Sequence, residues 1–230
     1  MKGYSKRIFD VMVVLVTLPL TLPLMGLVAL WIMLDGAGPI VHRQLRVGRG
    51  GEEFLIRKFR TLYADAEVKP TVAPGGDPRI TRPGRFLRKW RLDELPQVLN
   101  VLRGEMSLVG PRPEMAEHLQ AIPASVRKKV YSVRPGITGP AAVAFLAEDE
   151  YLATVPNPVK VYREILLPEK LRLEFGYVEH WKFSTDLILI GQTALRLFSS
   201  EARRRSRHMI EQIASVATNS PSRRPSAGIH

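Results

Sequence analysis

The chain of 230 residues contains no cysteine, which excludes a disulfide framework, thiolate catalysis and any cysteine-based metal centre. Histidine is scarce and scattered: five residues, with no His-x3-His spacing, argue against zinc and leave a hard, oxygen-bound cation as the only metal to expect. Acids are also in deficit. The balance of 34 Lys+Arg against 22 Asp+Glu gives a net charge of +12, which calls for an anionic partner: nucleic acid, a phosphorylated substrate or an acidic membrane surface. The glycine cluster Gly48-Arg49-Gly50-Gly51 lacks the GK[ST] ending of a nucleotide phosphate loop and reads instead as a hairpin turn. No internal repeat is visible, and the length suits one large or two small domains.

The longest absence is of charge between Val11 and Leu34, a 24-residue run preceded by Lys2, Lys6 and Arg7. The run is too long for a signal-peptide core and no small-residue cleavage site follows it. As a straight helix it would be about 36 Å long, enough for a hydrocarbon core of roughly 30 Å. Both flanks are basic, however, with His42, Arg43, Arg46 and Arg49 downstream, and positive charge marks the cytoplasmic side. Pro19 and Pro23 would divide the run into arms of about 12 and 16 Å, each reaching half-way across. Thr17 or Thr21 would satisfy the carbonyls freed there. The expectation is a re-entrant helix-hairpin that enters and leaves on one face; a spanning helix with a proline kink is the alternative.

Residues 39 to 61 read as strand, turn and strand, with Lys58, Arg60 and Thr61 at its close as candidate anion donors. Leu62 to Val68 reads as a short helix and Pro70 to Pro78 as a loop. The stretch from Arg79 to Pro113 dominates the centre. Arg79 to Arg91 holds six cations and no acid, and Arg82 to Trp90 reads as a helix with Phe86 and Trp90 on an apolar stripe. Asp93 and Glu94 follow at a second helix start, with Pro96 in its first turn and Gly104 at its end. A helix N-terminus, two carboxylates and a cation-rich helix together suit a divalent metal and a phosphate group. Pro111 and Pro113 fix the backbone on either side of Arg112 and aim its guanidinium. Short helices follow, then the rigid loop Arg134 to Pro140, a helix from Pro168 to His180 and an apolar one from Asp186 to Phe198 suited to lie in a membrane surface. Residues 201 to 230, with six Arg, two Glu and many Ser and Pro, read as a largely disordered basic tail.

Taken in order, Lys6-Arg7-Ile8-Phe9-Asp10, Gln44-x-Arg46-x-Gly48, Lys58-Phe59-Arg60-Thr61, Leu92 to Gln97, Asn100 to Gly104, Met106 to Pro113 and Arg134 to Gly139 resemble the bacterial sugar transferase family, in particular its small monotopic phosphoglycosyl transferases. The resemblance covers residues 5 to about 195. It implies an α+β, mainly helical fold: a re-entrant anchor over 1–36, a catalytic domain with a short β-hairpin and interfacial amphipathic helices over 37–199, and the basic tail over 200–230. It further implies transfer of a sugar-1-phosphate from a UDP-sugar to polyprenol phosphate at the cytoplasmic face of the bacterial inner membrane, with release of UMP. Asp93 would be the nucleophile of a phosphosugar–aspartyl intermediate, with Glu94 beside it as second catalytic carboxylate; the pair would bind Mg²⁺. Lys58, Arg88, Arg112, Pro111, Pro113 and Glu174 would contact substrate, Glu174 standing where the family has an Asp. Leu22 precedes Pro23 where the family often has Ser, and Pro140-Ala141-Ala142-Val143 stands where many members have Trp-Ala-Gln-Val. The partner set is UDP-sugar, polyprenol phosphate and anionic membrane lipid, without nucleic acid, and a homodimer is left open. Two other readings compete: a membrane-tethered binder of nucleic acid or anionic lipid, on the strength of the +12 charge, and a phosphohydrolase using Asp93.

Overall fold

The computed structural model describes residues 2–63, 74, 76–120 and 122–219. The chain is mainly helical, with two small two-stranded sheets among these residues. It opens with α1 (Lys2–Asp35), which stays helical through both prolines. Thr17 Oγ1 donates to the Val13 and Val14 carbonyls at 2.8 and 3.1 Å, and not to the Leu15 and Pro19 carbonyls that Pro19 and Pro23 leave without an N–H donor. Val14, Val28 and Ile32 are buried, whereas Val16, Leu20 and Leu22 near the middle stay exposed.

The expected hairpin follows. Strands β1 (Val41–Val47) and β2 (Glu53–Phe59) pair antiparallel, Val41 opposite Phe59 and Val47 opposite Glu53, around a 3-10 turn at Arg49–Gly51. The predicted helix over Leu62 to Val68 lies mostly outside the described residues; Leu62 itself forms an isolated antiparallel bridge with Ile80. Next comes α2 (Arg82–Lys89), capped by Thr81, whose Oγ1 accepts from Gly84 N at 2.9 Å, with Pro83 in the first turn. A 3-10 segment, Leu92–Gln97, leads into α3 (Val98–Arg103). Strand β3 (Ser107–Val109) is joined by α4 (Ala116–Leu119) and α5 (Ala124–Val130) to β4 (Gly136–Thr138), with which it pairs in parallel. The remaining helices are α6 (Pro140–Ala144), α7 (Glu148–Leu152), α8 (Pro158–Val161), α9 (Leu167–Glu179), α10 (Phe183–Leu197) and α11 (Ser200–Asn219); a π-helical turn, Tyr162–Leu166, joins α8 to α9.

Helix α11 corrects the reading of residues 200–219 as disordered tail. Its Ser206, Ile210 and Ala214, spaced four apart, are buried, and Ile210 joins the largest core cluster with Val130, Tyr131, Phe145, Leu152 and Leu166. Each such aliphatic side chain taken from water contributes about 1.5–3 kcal/mol, enough to hold a polar helix in place. A second cluster (Val14, Ile56, Val98, Val101, Met106) and a third (Val28, Ile32, Phe59, Leu87) fasten α1 to the hairpin, α2 and α3. Both ends of α1 are also pinned by polar contacts. At the start, Lys6 pairs with Asp186, and Arg7 donates to the Val101 and Leu102 carbonyls. At the end, Arg60 donates to the carbonyls of Ile32, Gly36 and Ala37.

Candidate active site

Arg91 holds φ 53°, the single non-glycine residue with positive φ among the described residues, and turns the chain sharply from α2 into the 3-10 segment. Asp93 and Glu94 therefore occupy the first turn of a new helical segment, as the sequence suggested. Both are largely buried, at 9 and 8% exposure. Pro96 sits inside the segment, α3 continues from Val98, and Gly104 ends it in the left-handed conformation.

The two carboxylates have different partners. Glu94 Oε1 accepts from Lys58 Nζ at 2.8 Å and lies 3.9 Å from Arg112 Nη1. Burial pushes its carboxyl up, but Lys58, Arg91 and Arg112 outweigh that and hold it at about 2. Asp93 has no hydrogen bond or ion pair with a protein side chain among the described residues. Burial and the neighbouring Glu94 charge raise it to about 6, against the pull of Lys58, Arg88 and Arg91. One acid is thus a fixed anion bound to cations, and the other is an open carboxylate close to its own titration point. Arg88, on α2, donates from Nε to Thr61 Oγ1 at 2.9 Å and keeps its charge near Asp93.

Arg112 is held at every backbone group around it. Gly110 N donates to Thr138 O and Gly136 N to Pro111 O, both at 2.9 Å. Arg112 N donates to Glu174 Oε1 at 3.4 Å, and Tyr131 OH donates to Arg112 O at 3.2 Å. A Cβ on Gly136 would lie 2.1 Å from Gly110 N, so only glycine allows the two loops this close. The Arg112 guanidinium points between Glu94 and Glu114, whose charges raise its pKa despite burial. Glu114 is fixed in turn by Tyr162 OH at 2.6 Å; burial alone would raise it, but His118, Lys170, Arg112 and Arg46 hold it at about 2.

The structure thus gathers Lys58, Arg88, Asp93, Glu94 and Arg112 around one point, while Pro113 lines a narrow cleft with Arg46, Lys58, Glu94 and Arg112. Pro111 is buried and acts through its carbonyl. Glu174 is different. It is 2% exposed, lies behind Arg112 against its backbone and Gly139, and burial raises it to about 8. It positions the Arg112 loop and does not face the cleft. Arg60, expected as an anion donor, instead caps the carbonyl end of α1. Arg46, Arg91, Gln97 and Glu114 were not selected from sequence. The sequence signals for them are Arg46 within Gln44-x-Arg46-x-Gly48 and Glu114 directly after Pro113.

No set of three or more His, Cys, Asp or Glu side chains is placed to hold a metal ion among the described residues. The open Asp93 and the free second oxygen of Glu94 nonetheless fit Mg²⁺. That ion keeps several waters and binds through one or two carboxylates plus substrate phosphates.

Residues 1–200 match the bacterial sugar transferase family, a match that extends from α1 through α10. The chain belongs to the bacterial sugar transferase family. This sugar transferase is similar to UDP-glucose:undecaprenyl-phosphate glucose-1-phosphate transferase of Caulobacter vibrioides, 38% identical over 85% of this chain and 70% of that protein. It is also similar to UDP-N-acetylgalactosamine-undecaprenyl-phosphate N-acetylgalactosaminephosphotransferase of Aeromonas hydrophila, 34% identical over 83% of this chain and 43% of that protein. A glucose-1-phosphate transferase of Xanthomonas campestris pv. campestris, named for the same donor and acceptor as the first, is 34% identical over 86% of the chain and 39% of its own length. This sugar transferase therefore spans less than half the length of the second and third.

Proposed function

We propose that this sugar transferase moves a sugar-1-phosphate from a UDP-sugar to undecaprenyl phosphate at the cytoplasmic face of the bacterial cytoplasmic membrane, releasing UMP and starting a lipid-linked glycan. The names of the relatives supply donor and acceptor. The observation that carries the mechanism is the division between the two acids: Asp93 open, Glu94 tied to Lys58 and Arg112. In the first step an Asp93 oxygen bonds to the phosphorus that carries the sugar. The bond from that phosphorus to the bridging oxygen breaks, and UMP leaves with the electron pair. In the second step an oxygen of undecaprenyl phosphate attacks the same phosphorus and Asp93 is released as carboxylate. Two steps keep the two phosphorylated substrates from meeting directly, while Arg88, Arg112 and Lys58 offset charge at each. Asp93 with Glu94 is the pair that would hold Mg²⁺, which when bound neutralises the diphosphate. Glu94, which accepts from Lys58 at 2.8 Å and lies 3.9 Å from Arg112, fixes both cations in place.

The anchor reading draws support from the packing of α1. A straight helix of 34 residues would measure about 51 Å and carry one end across the bilayer. Here both ends dock on the same body, and exposed apolar residues lie between them. Trp31, Phe86, Trp90 and Phe198 form a row with ring centroids 5.4–6.4 Å apart across α1, α2 and α10, the kind of aromatic belt that sits at lipid headgroup level. A helix bent at its prolines, entering and leaving on one face, accounts for all three features.

The test is Asp93→Asn. It should lower UMP release from UDP-sugar by at least about 10³-fold, the scale of losing a covalent nucleophile. Intact-protein mass spectrometry of wild type with UDP-sugar alone should show one phosphosugar adduct that undecaprenyl phosphate discharges. Unimpaired turnover in the variant would refute the mechanism. Continuous UMP release without lipid acceptor would establish the phosphohydrolase instead.

A further inference from the structure

A cavity of about 280 Å³ includes none of Lys58, Arg88, Asp93, Glu94 or Arg112 in its wall. It lies between the first turns of α1, strand β3, the loop before β4 and the end of α9. Its interior is mostly apolar: Val109, Val133, Tyr177, Val178 and Trp181. Its charges are arranged unequally. Lys6 is already paired with Asp186, and Asp10 accepts from Ser107 Oγ at 2.8 Å and Leu108 N at 3.3 Å. Glu179 is exposed. Arg134 uses only its Nε, donating to Gly104 O at 2.7 Å, and its two terminal nitrogens have no protein partner among the described residues. The Arg49 guanidinium has none there either. Burial together with the Arg49 and Arg7 charges depresses the Arg134 pKa, against the opposing pull of Asp10.

We propose that this cavity binds an anionic membrane phospholipid, its phosphate on Arg49 and Arg134 and the upper part of an acyl chain among Val109, Val133 and Trp181. Guanidinium forks suit a phosphodiester, and an apolar chamber behind them suits what such a phosphate carries in a membrane. Helix α1, which walls the cavity, and α10, which begins two residues after the wall residue Trp181, carry exposed apolar side chains: Tyr4 and Ile8 on α1, and Phe183, Leu187 and Ile188 on α10. On the membrane reading, a lipid would enter the chamber from the bilayer surface on that side. The proposal rests on the membrane reading of α1 and is independent of the chemistry at Asp93.

The experiment is equilibrium binding of fluorescent phosphatidylglycerol to the purified full chain in neutral detergent, without UDP-sugar. Wild type and Asp93→Asn should bind one phosphatidylglycerol with equal affinity, and phosphatidylcholine or millimolar inorganic phosphate should not displace it. Arg49→Gln, on an exposed turn and no threat to folding, should weaken binding about tenfold, and Arg49→Gln/Arg134→Gln further; one charge-assisted bond to phosphate is worth that much. Val133→Trp, filling the partly exposed mouth, should also abolish it. Unchanged binding in Arg49→Gln and Val133→Trp would overturn the proposal. So would equal displacement by phosphatidylcholine, by inorganic phosphate, or by undecaprenyl phosphate in wild type but not in Asp93→Asn, which would place the lipid at the catalytic carboxylates. Loss of activity in Asp93→Asn with phosphatidylglycerol binding intact separates the two sites.

Discussion

At the scale of single residues, the contrast between Asp93 and Glu94 makes stability and activity oppose each other. Asp93 titrates at about 6 in the folded chain against 3.8 when unfolded, so the fold favours its neutral form. As pH rises from about 4 to 6 the unfolded chain loses this proton first, and stability falls across that window and stays low above it. Asp93→Asn should therefore be more stable than wild type at pH 8, by on the order of 1–3 kcal/mol, with the gain vanishing by pH 4. Thermal unfolding in detergent at the two pH values reads this directly, and an equal shift at both would remove the assignment. Glu174 offers a second case, with the opposite consequence for activity. Its carboxyl is held neutral up to about 8 against 4.5 unfolded, and it supports the Arg112 backbone from behind. Glu174→Gln is close to isosteric with that neutral acid. It should keep wild-type kcat and KM at pH 7 and gain stability over wild type progressively from pH 4.5 to 8. A large loss of kcat at pH 7 would return Glu174 to the substrate-contacting set that the family resemblance suggested.

Among elements, the parallel β3–β4 pair shows where sequence reading ends. The hairpin β1–β2 and the helix α2 are local: alternation, a glycine turn and a Thr cap lie within a few residues of each other, and both were legible. The start of the 3-10 segment at Asp93 was legible for the same reason. The pairing of Ser107 with Gly136 and Val109 with Thr138 joins segments far apart in the chain and three residues long, too short to carry a periodic signal. The sequence marked Arg112 by its flanking prolines, but it did not show that Gly136, Glu174 and Tyr131 hold that turn. The tail misread has a related origin. The charges of residues 201–211 outweighed the four-residue spacing of Ser206, Ile210 and Ala214, and several of those charges are paired, Arg203 with Glu150 and Arg207 with Glu211. The β3–β4 contact yields a prediction of its own. In Gly136→Ala the new methyl would sit 2.1 Å from Gly110 N, so the two loops must separate and Arg112 with them. A destabilisation of about 3 kcal/mol or more is expected, together with a rise in KM for UDP-sugar. Stability within 1 kcal/mol of wild type would show that the loops yield more easily than their backbone contacts suggest.

For the whole molecule, the decisive question is how the +12 body and its apolar helix divide between water and lipid, and the lack of cysteine makes this measurable. Single cysteines placed in an otherwise thiol-free chain report position without a background. If α1 enters and leaves on one face, Tyr4→Cys and Asp35→Cys should react with a membrane-impermeant maleimide only in inverted vesicles. Leu20→Cys, at the exposed middle of the helix, should react from neither side. The anchoring contacts argue for this result. Lys6, Arg7 and Arg60 each tie an end of α1 to the same catalytic body, and the family match begins at residue 1, so helix and body belong to one unit. A spanning helix would need one of those sets of contacts to break, exposing the buried Asp186 carboxylate or the carbonyls that Arg60 now binds. Removal of a partner from such a buried charge costs about 3–5 kcal/mol, more than a bent helix costs at two prolines already lacking their N–H bonds. Labelling of Tyr4→Cys from the periplasmic side in intact cells would reverse that balance and make α1 a span.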